Sequence, residues 1–312
     1  MTIDSSTSQR ADLSLGSAVS SRPTAQSELE SMPVESRAAE LIEWFRGRGV
    51  IAVAFSGGVD SSVVLAAALA SAADSVTAVT AVSPSVARWQ IELAESIATH
   101  LGADHRLIET DEVSLPQYSV NDASRCFHCK STLYQTLDRL CQSPDLDSAT
   151  IVSGTNADDL GDYRPGIAAG DRAGVLKPLA ELGIDKSGVR ALARHFGLPN
   201  ASLPASPCLA SRIAYGVRVT PERLGQVEQA EELLRAMGLA NVRVRYHEGG
   251  LARIEVPADQ ISKLADAPVR TKLSQRLTEI GFRYVTLDLQ GFASGSMNRQ
   301  LVSLGGPTDT VA

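Results

Sequence analysis

The sequence predicts an α/β protein, in which a parallel sheet with helices on both faces is followed by a smaller α+β domain. Short, uncharged, β-branched runs alternate with helical patterns over residues 36–200, which is typical of a parallel sheet. A glycine pair, Gly57-Gly58, joins the first of these runs to an alanine-rich helical stretch. The alternation ends after Leu182, and a chain of 312 residues is long enough for two domains.

The elements of the first domain, 36–200, follow from hydrophobic periodicity. Apolar residues at helical spacing predict an entry helix over 37–48, which ends at glycines. Strands are predicted at 50–55, 76–82, 105–109 and 150–153, and further helices at 63–72, 86–101, 127–140 and 186–196. Sheets of this kind bind ligands beyond the carboxyl ends of their strands.

The second domain, 201–300, begins within an irregular segment. Residues 198–215 contain three prolines and no periodicity, so we expect a functional loop that crosses between the domains. Pro221 opens a long helix, and alternating residues predict strands at 242–246, 252–256 and 284–289. Helical patterns fill the interval 259–280.

The two ends of the chain lack the pattern of a folded core. Residues 1–33 contain nine serines and three threonines, with few long apolar side chains. Such a segment buries too little surface to offset its ordering entropy. We therefore predict a disordered tail over 1–35 and a frayed end over 301–312.

Composition narrows the classes of function. The formal net charge of −7 argues against a broad cationic surface, so we expect no nucleic-acid partner. No apolar run approaches the about 20 residues of a membrane span, and the first residues lack a signal-peptide pattern. Four cysteines are too few for a secreted disulfide scaffold of this length. The sequence predicts a cytoplasmic protein with no membrane segment.

The strongest motif follows the first predicted strand. The candidate phosphate-binding residues of this turn are Ser56, Gly57, Gly58, Asp60 and Ser61. Glycines permit a tight turn, and the N–H groups at a helix start bind anions. The spacing matches neither a Walker A loop nor a dinucleotide fingerprint. Asp60 is the candidate ligand of a Mg²⁺ ion that shares the charge of a leaving pyrophosphate.

A second nucleotide-side segment follows the fourth predicted strand. Thr155, Asn156 and Asp158 lie where ligand groups gather in parallel sheets, and we assign them to the same site. An N-capping turn is the alternative interpretation, since these residue types favour helix starts.

Three cysteines form the second candidate site. Cys126 and Cys129 have the spacing of metal ligands, and Cys208 lies on the proline-rich loop. Three thiolates suit a 4Fe-4S cluster with one open iron, whereas His128 as a fourth ligand would make a zinc site. Three reduced structural thiols without metal remain the third possibility. We expect the flanking Arg125 and Lys130 to lower the thiol pKa values.

The other cysteine and several histidines receive no role in the site. Cys141 has no partner at metal-ligand spacing, so we interpret it as a packing residue. His100, His105 and His195 have no neighbouring thiols or carboxylates at ligand spacing.

The turn S-G-G-V-D-S resembles the pyrophosphate loop of the N-type ATP pyrophosphatases. This resemblance implies that the bond between the α- and β-phosphates of ATP is cut. A substrate oxygen is then adenylylated, and a nucleophile displaces AMP.

A longer series of motifs resembles the LarE family over residues 36–298. The motifs are R-C-F-H-C-K, G-T-N-A-D-D-L-G-D-Y-R-P-G, S-P-C-L-A-S-R, V-R-V-R-Y-H, L-A-R-I-E-V and G-F-R-Y-V-T-L-D-L-Q-G-F-A-S-G-S-M-N. The family comprises ATP-dependent sulfur transferases that build the nickel-pincer nucleotide cofactor of lactate racemase. Ala293 departs from the basic residue expected in relatives.

The resemblance implies a substrate, a pyridinium-3,5-biscarboxylic acid mononucleotide, whose carboxylates become thiocarboxylates. It implies a catalytic role for Cys208, which either gives up its own sulfur or holds a cluster that supplies sulfide. Asp60 is the second candidate catalytic residue. A homo-oligomer and hand-off of the product to a nickel-inserting protein are further implications.

Two arginines of the fifth predicted strand complete the predicted site. Arg243 and Arg245 alternate along the strand and therefore share one face. We assign them, with Arg212, to the phosphate of the substrate nucleotide. A solvated strand face with salt bridges to glutamates is the alternative interpretation.

Two other functions compete with sulfur transfer to a nucleotide. A tRNA-thiolating enzyme with an iron-sulfur cluster combines the same motifs, but the acidic charge opposes it. A zinc-stapled protein that binds ATP without turnover would release no AMP.

Overall fold

The computed structural model describes residues 32–161, 165–239 and 241–293. The described residues from Val34 onward belong to one compact unit. The predicted tail at 1–35 lies outside the described residues except for 32–35, and a helix already begins at Val34. The predicted frayed end at 301–312 also lies outside them.

Four parallel strands form the first sheet, in the spatial order β3-β2-β1-β4. The strands are β1 (Val50–Ala54), β2 (Ser75–Val82), β3 (Asp104–Glu109) and β4 (Thr150–Ser153). Ile51 of β1 pairs with Val76 of β2 and with Thr150 of β4. The central strand is uncharged because both of its faces are covered. The predicted α/β class is confirmed.

Helices cover this sheet. They are α1 (Val34–Phe45), α2 (Val59–Ala70), α3 (Arg88–Leu101), α4 (Pro116–Ser119), α5 (Arg125–Leu140), α6 (Pro165–Arg172), α7 (Pro178–Glu181) and α8 (Lys186–His195). The core between α1, α2, α8 and the strands includes Leu41, Phe45, Val53, Leu65 and Leu192. The apolar helix α2 is the most completely buried of them along its length.

Helix α2 begins four residues earlier than the predicted 63–72. Gly58 has extended backbone angles (φ −72°, ψ 157°) and precedes the first helical residue, Val59. The hydroxyls of Ser61 and Ser62 donate to the Gly58 carbonyl at 3.1 and 2.9 Å. Asp60, Ser61 and Ser62 of the glycine motif are therefore in the first turn of the helix. Apolar periodicity does not detect this first turn, because these side chains are polar and the two serines bond to the loop backbone.

A second sheet follows, with β5 (Arg243–His247) antiparallel to β6 (Leu251–Glu255), and β6 parallel to β7 (Tyr284–Leu287). Its helices are α9 (Pro221–Ala236), α10 (Ile261–Ala265) and α11 (Ala267–Ile280). Thr220 accepts a hydrogen bond from the Arg223 amide and caps α9, with Pro221 in the first turn. The α+β pattern predicted for this part of the chain matches these elements.

The core of the second sheet also includes residues from the first half of the chain. Ala87, Val113 and Tyr118 follow strands β2 and β3 and pack with Leu209 and Val244. Residues from both sides of the predicted domain boundary, between 200 and 201, therefore pack in one hydrophobic core. The boundary itself stays a prediction. Among the described residues, no helix is long and apolar enough to cross a membrane.

Candidate active site

The glycine turn at the end of β1 forms a compact cradle at the start of α2. Gly57 has a φ of +70°, which favours glycine. A Cβ there would lie 2.7 Å from the Ala94 Cα of α3, so any side chain would collide with backbone. The turn leads directly into the first residue of α2, and an anion is stabilised at that positive end of the helix dipole.

The end of β4 lies against this cradle. A Cβ on Gly154 would lie 2.6 Å from the Ser61 amide nitrogen, so only glycine permits this approach. Sequence reasoning named the residues on either side and missed the packing requirement of Gly154 itself. The two predicted nucleotide-side segments are thereby brought together.

Asp60 is the centre of a charged network between these segments. Its Oδ1 accepts from Asn156 Nδ2 at 2.9 Å, and its Oδ2 accepts from Lys186 Nζ at 2.5 Å. The Lys186 backbone amide donates to Asp158 Oδ2 at 2.9 Å. Lys186 was predicted only as a helix start. It lies 126 residues from Asp60 in the chain, and no local signal links the two.

Asn200 braces the cradle from the far end of the first domain. Its side chain is 1% exposed, and Nδ2 donates to the Gly57 carbonyl at 2.8 Å and to Ser62 Oγ at 2.9 Å. A buried amide with two such partners fixes the turn before any ligand arrives. This residue was also missed by sequence reasoning.

The cysteines lie on two segments. Cys126 and Cys129 are one turn apart on α5, so they share a helix face. Cys208 precedes the 3₁₀ helix Leu209–Arg212. The Leu209 amide donates to the Ser85 carbonyl at 2.8 Å, which ties the Cys208 loop to the segment just beyond β2. The predicted proline-rich loop thus lies near the carboxyl edge of the first sheet.

The thiols interact with one another. Burial and then the Cys208 thiol raise the pKa of Cys129 to about 12, and Cys126 contributes in the same direction. Lys130 lowers the pKa of Cys129, as expected of a neighbouring cation, but burial outweighs that effect and the net shift is upward.

Buried polar groups line the same region. Glu112 Oε1 accepts from the Ser83 and Ser85 hydroxyls, each at 2.6 Å. Its Oε2 and the Tyr118 hydroxyl are buried and have no hydrogen-bond partner among the described residues. Burial, Cys208 and Cys129 raise the pKa of Tyr118, so this phenol is neutral beside the thiols.

Comparison with known proteins identifies the family. A family model described as asparagine synthase matches residues 45–129. The chain is 37% identical over 267 residues to the pyridinium-3,5-bisthiocarboxylic acid mononucleotide synthase of Lactiplantibacillus plantarum, which covers 85% of this chain and 95% of that protein. The chain belongs to the LarE family. It is an ATP-dependent sulfur transferase.

Two further relatives are similar to this protein over most of the chain. An uncharacterized protein of Synechocystis is 42% identical over 268 residues, 86% of this chain and 99% of that protein. One of Methanocaldococcus jannaschii is 27% identical over 254 residues, 81% and 94% respectively. The match to the Lactiplantibacillus plantarum synthase favours LarE-type chemistry over tRNA thiolation.

The LarE-family thiols fit an iron-sulfur cluster in type and number, since three cysteines leave one iron open. All four cysteines are reduced; Cys126 is exposed, and Cys129 and Cys208 are half-buried. Within the described residues, no three His, Cys, Asp or Glu side chains are assembled closely enough to hold a metal. The cluster, like the zinc alternative with His128, stays a prediction.

Arg212 of the LarE-family chain is buried behind the Cys208 loop. Its side chain is 1% exposed, and Nε donates to Glu231 Oε1 at 3.0 Å. Nη1 donates to the carbonyls of Pro207 and Cys208, the latter at 2.9 Å. These contacts position the loop, and the assignment of Arg212 to the substrate phosphate stays a prediction.

Arg243 and Arg245 share a face of β5, but their surroundings differ. Arg245 is buried and donates to Glu255 Oε2 at 2.7 and 3.0 Å. Arg243 is half-buried, with its guanidinium carbon 5.3 Å from the Phe292 ring centre. Burial and then Arg212 lower the pKa of Arg243 to about 10. A cation crowded by other cations favours an incoming anion.

Proposed function

We propose that this protein adenylylates the two ring carboxylates of a pyridinium-3,5-biscarboxylic acid mononucleotide and converts them to thiocarboxylates. The Lactiplantibacillus plantarum relative is a pyridinium-3,5-bisthiocarboxylic acid mononucleotide synthase, which supports this substrate. The observation that carries the proposal is the joint presence of the pyrophosphate cradle and the Cys208 loop at the carboxyl edge of one sheet.

The first step forms an acyl adenylate. A substrate carboxylate oxygen attacks the α-phosphorus of ATP, the bond from that phosphorus to the bridging oxygen breaks, and pyrophosphate leaves. The amides around Gly57 and Gly58 and the Lys186 ammonium stabilise the charge that grows on pyrophosphate. Asp60 would hold Mg²⁺ there, and Thr155, Asn156 and Asp158 would complete the nucleotide side.

The second step replaces AMP by sulfur. A sulfur nucleophile attacks the acyl carbon, and the bond from that carbon to the AMP oxygen breaks. If Cys208 supplies the sulfur, its Cβ–Sγ bond then breaks, its Cα proton is lost, and dehydroalanine remains. A 4Fe-4S cluster held by Cys126, Cys129 and Cys208 would instead supply a sulfide at its open iron. We favour the cluster, because an exposed Cys126 without a ligand role is prone to oxidation.

The substrate phosphate is assigned to Arg243, supported by Arg245 and Arg212. Of the three, Arg243 has the least extensive contacts to protein carboxylates, and it is crowded by the other cations. We also propose a homo-oligomer and hand-off of the thiocarboxylate nucleotide to a nickel-inserting protein. A salt-dependent fall in substrate affinity that is lost in Arg243→Met would support the phosphate role.

The decisive experiment follows AMP, pyrophosphate, product mass and protein mass in anaerobically reconstituted enzyme. We expect AMP and pyrophosphate only when the pyridinium nucleotide is present, with iron in the protein and no loss of sulfur from the chain. Loss of the mass of one H₂S would assign the sulfur to Cys208. ADP and orthophosphate as products would contradict the proposal.

Cys141→Ala is the matched control. Cys141 is buried, with 8% exposure, directly after the last residue of α5, whereas Cys126 and Cys129 lie near the start of that helix. This variant should keep the wild-type products and iron content, whereas Cys126→Ala and Cys129→Ala should lose the iron.

A further inference from the structure

A fully buried asparagine joins the two cysteine segments. Asn121 lies between α4 and α5, is 0% exposed, and has a φ of +63°. Its Nδ2 donates to the carbonyls of Ala214 and Val217, each at 2.8 Å, with Ile213 further away at 3.3 Å. These carbonyls belong to the turn that follows the 3₁₀ helix behind Cys208. One side chain therefore holds a segment 93 residues away.

The same asparagine also holds the start of the helix that carries Cys126 and Cys129. Its Oδ1 accepts from Arg125 Nη1, and the same Nη1 donates to the Ala210 carbonyl at 2.9 Å. Arg125 is 5% exposed and directly precedes Cys126. The first turn of α5 is thus tied to the Cys208 loop through two side chains.

The backbone around Asn121 adds to this connection. The Gly216 amide donates to the Asn121 carbonyl at 3.2 Å. The Ser119 hydroxyl donates to the Val219 carbonyl at 3.0 Å, and the Val219 amide donates to the Ser119 carbonyl at 2.9 Å. Residues 119–121 are therefore hydrogen-bonded to the loop after Cys208 at several points between Ile213 and Val219.

We propose that Asn121 is a positioning residue for sulfur transfer, which through Arg125 sets the Cys208 loop against the Cys126 and Cys129 face of α5. The inference rests on the proposed function only for its role in turnover. The local chemistry is specific, since an amide both donates to the loop carbonyls and accepts from the guanidinium. An aspartate at this position still accepts from the Arg125 guanidinium, but it cannot donate to the loop carbonyls.

The test compares Asn121→Asp with wild type in the full-length, metal-free chain. Cd²⁺ alone is titrated while the ultraviolet absorbance of thiolate-bound metal is followed. We expect wild type to bind Cd²⁺ more tightly than Cys208→Ser does. Asn121→Asp should weaken binding about tenfold to a hundredfold, the effect of leaving buried carbonyls unpaired. Arg125→Met, which cuts only the link to α5, should weaken it in the same direction.

The ratio of thiocarboxylate to AMP formed during turnover distinguishes a positioning role from general destabilisation, which would lower both products together. In Asn121→Asp, AMP should still form while thiocarboxylate per AMP falls, because the adenylate waits for a misplaced sulfur source and is hydrolysed. Asn200→Asp is the matched control, a buried asparagine that braces the pyrophosphate cradle. It should slow AMP formation and leave Cd²⁺ binding unchanged.

Three results would overturn the inference. One is wild-type Cd²⁺ binding no tighter than that of Cys208→Ser, and another is unchanged Cd²⁺ binding in Asn121→Asp. The third is a proportional fall of AMP and product in Asn121→Asp. If wild type makes no thiocarboxylate at all, the proposed function fails, and the Cd²⁺ comparison still decides the role of Asn121.

Discussion

The pyrophosphate cradle and the cysteine site differ in what holds them. The backbone of the cradle is a local turn, in which two serines bond to Gly58 within a few residues of chain, although Asn200 also contacts Gly57 from 143 residues away. The cysteine site joins α5 to a loop far along the chain, through side-chain contacts such as that of Asn121 to Ala214. A local backbone motif is readable from sequence, whereas a site assembled by distant side chains is not.

The largest expected effects come from one substitution in the pyrophosphate cradle and one in the cysteine site, and they should block different steps of the reaction. Asp60→Asn removes the charge that faces Lys186 at 2.5 Å, and we expect it to abolish both pyrophosphate and thiocarboxylate formation. Cys208→Ser should abolish thiocarboxylate while ATP still yields AMP and pyrophosphate. Chromatography of the nucleotides with mass spectrometry of the product checks both. Thiocarboxylate from Cys208→Ser would remove this residue from the reaction.

A smaller but still large effect is expected from Gly154→Ala. The added Cβ would meet the Ser61 amide nitrogen at 2.6 Å, so the end of β4 or the start of α2 must shift. Overpacking of this kind costs about 1–3 kcal/mol, which is a factor of about 5 to about 150 in ATP affinity when it falls on the cradle. Equilibrium ATP binding measures the loss.

Gly161→Ala is the control for that substitution. A Cβ at Gly161 would meet nothing within 4 Å, so ATP affinity should not change. Equal losses in the two alanine variants would mean that the close approach at Gly154 does not support the cradle.

The sheet and the cradle were predictable because their signals are local. Uncharged β-branched runs gave β1 and β4 nearly at their observed bounds, and the glycine pair marked the turn between strand and helix. The start of α2 was missed, since Asp60 and its neighbouring serines break the apolar pattern while forming a helical turn.

The arginines show why the rest was beyond sequence reasoning. Alternation correctly placed Arg243 and Arg245 on one strand face, yet it carries no information on the partner of each charge. Arg245 pairs with Glu255, directly across the strand pair from Arg243. Arg212 pairs with Glu231 on α9. Lys186 likewise meets Asp60 only through the fold.

Removing the charge of one buried carboxylate, Glu231, should destabilise the protein and loosen the Cys208 loop. Glu231 is 0% exposed and pairs with Arg212 at 3.0 Å and with Arg235 at 2.8 Å. Glu231→Gln leaves two cations without their partner, which costs about 3–5 kcal/mol of unfolding free energy. Denaturant titration measures this loss. Since Arg212 holds the Cys208 carbonyl, alkylation of Cys208 should also become faster.

Glu43→Gln is the matched control for that variant. Glu43, near the end of α1, pairs with Arg46 just beyond the helix at 3.0 Å, but the two side chains are 60% and 70% exposed. A solvated pair of this kind contributes at most about 1 kcal/mol. A loss in Glu231→Gln no larger than in Glu43→Gln would show that the buried pair does not stabilise the fold.

The smallest expected effect is on the pH dependence of stability, and it is tested with one histidine from each sheet. Burial lowers the pKa of His105 on β3, and burial followed by Arg253 lowers that of His247 on β5, both from 6.5. As the pH falls below 6.5, these histidines bind protons more readily in the unfolded chain than in the folded one, so protonation lowers the free energy of unfolding. Well above pH 6.5 both states are unprotonated, and the histidines do not change stability. His105→Gln and His247→Gln should each flatten the loss of unfolding free energy between about pH 7.5 and about pH 5. Denaturant titrations at several pH values measure the slope, and Gln keeps a polar group for the His105 contact with Thr80 at 2.8 Å. An unchanged slope in the double variant would assign the acid sensitivity of both sheets to the carboxylates instead.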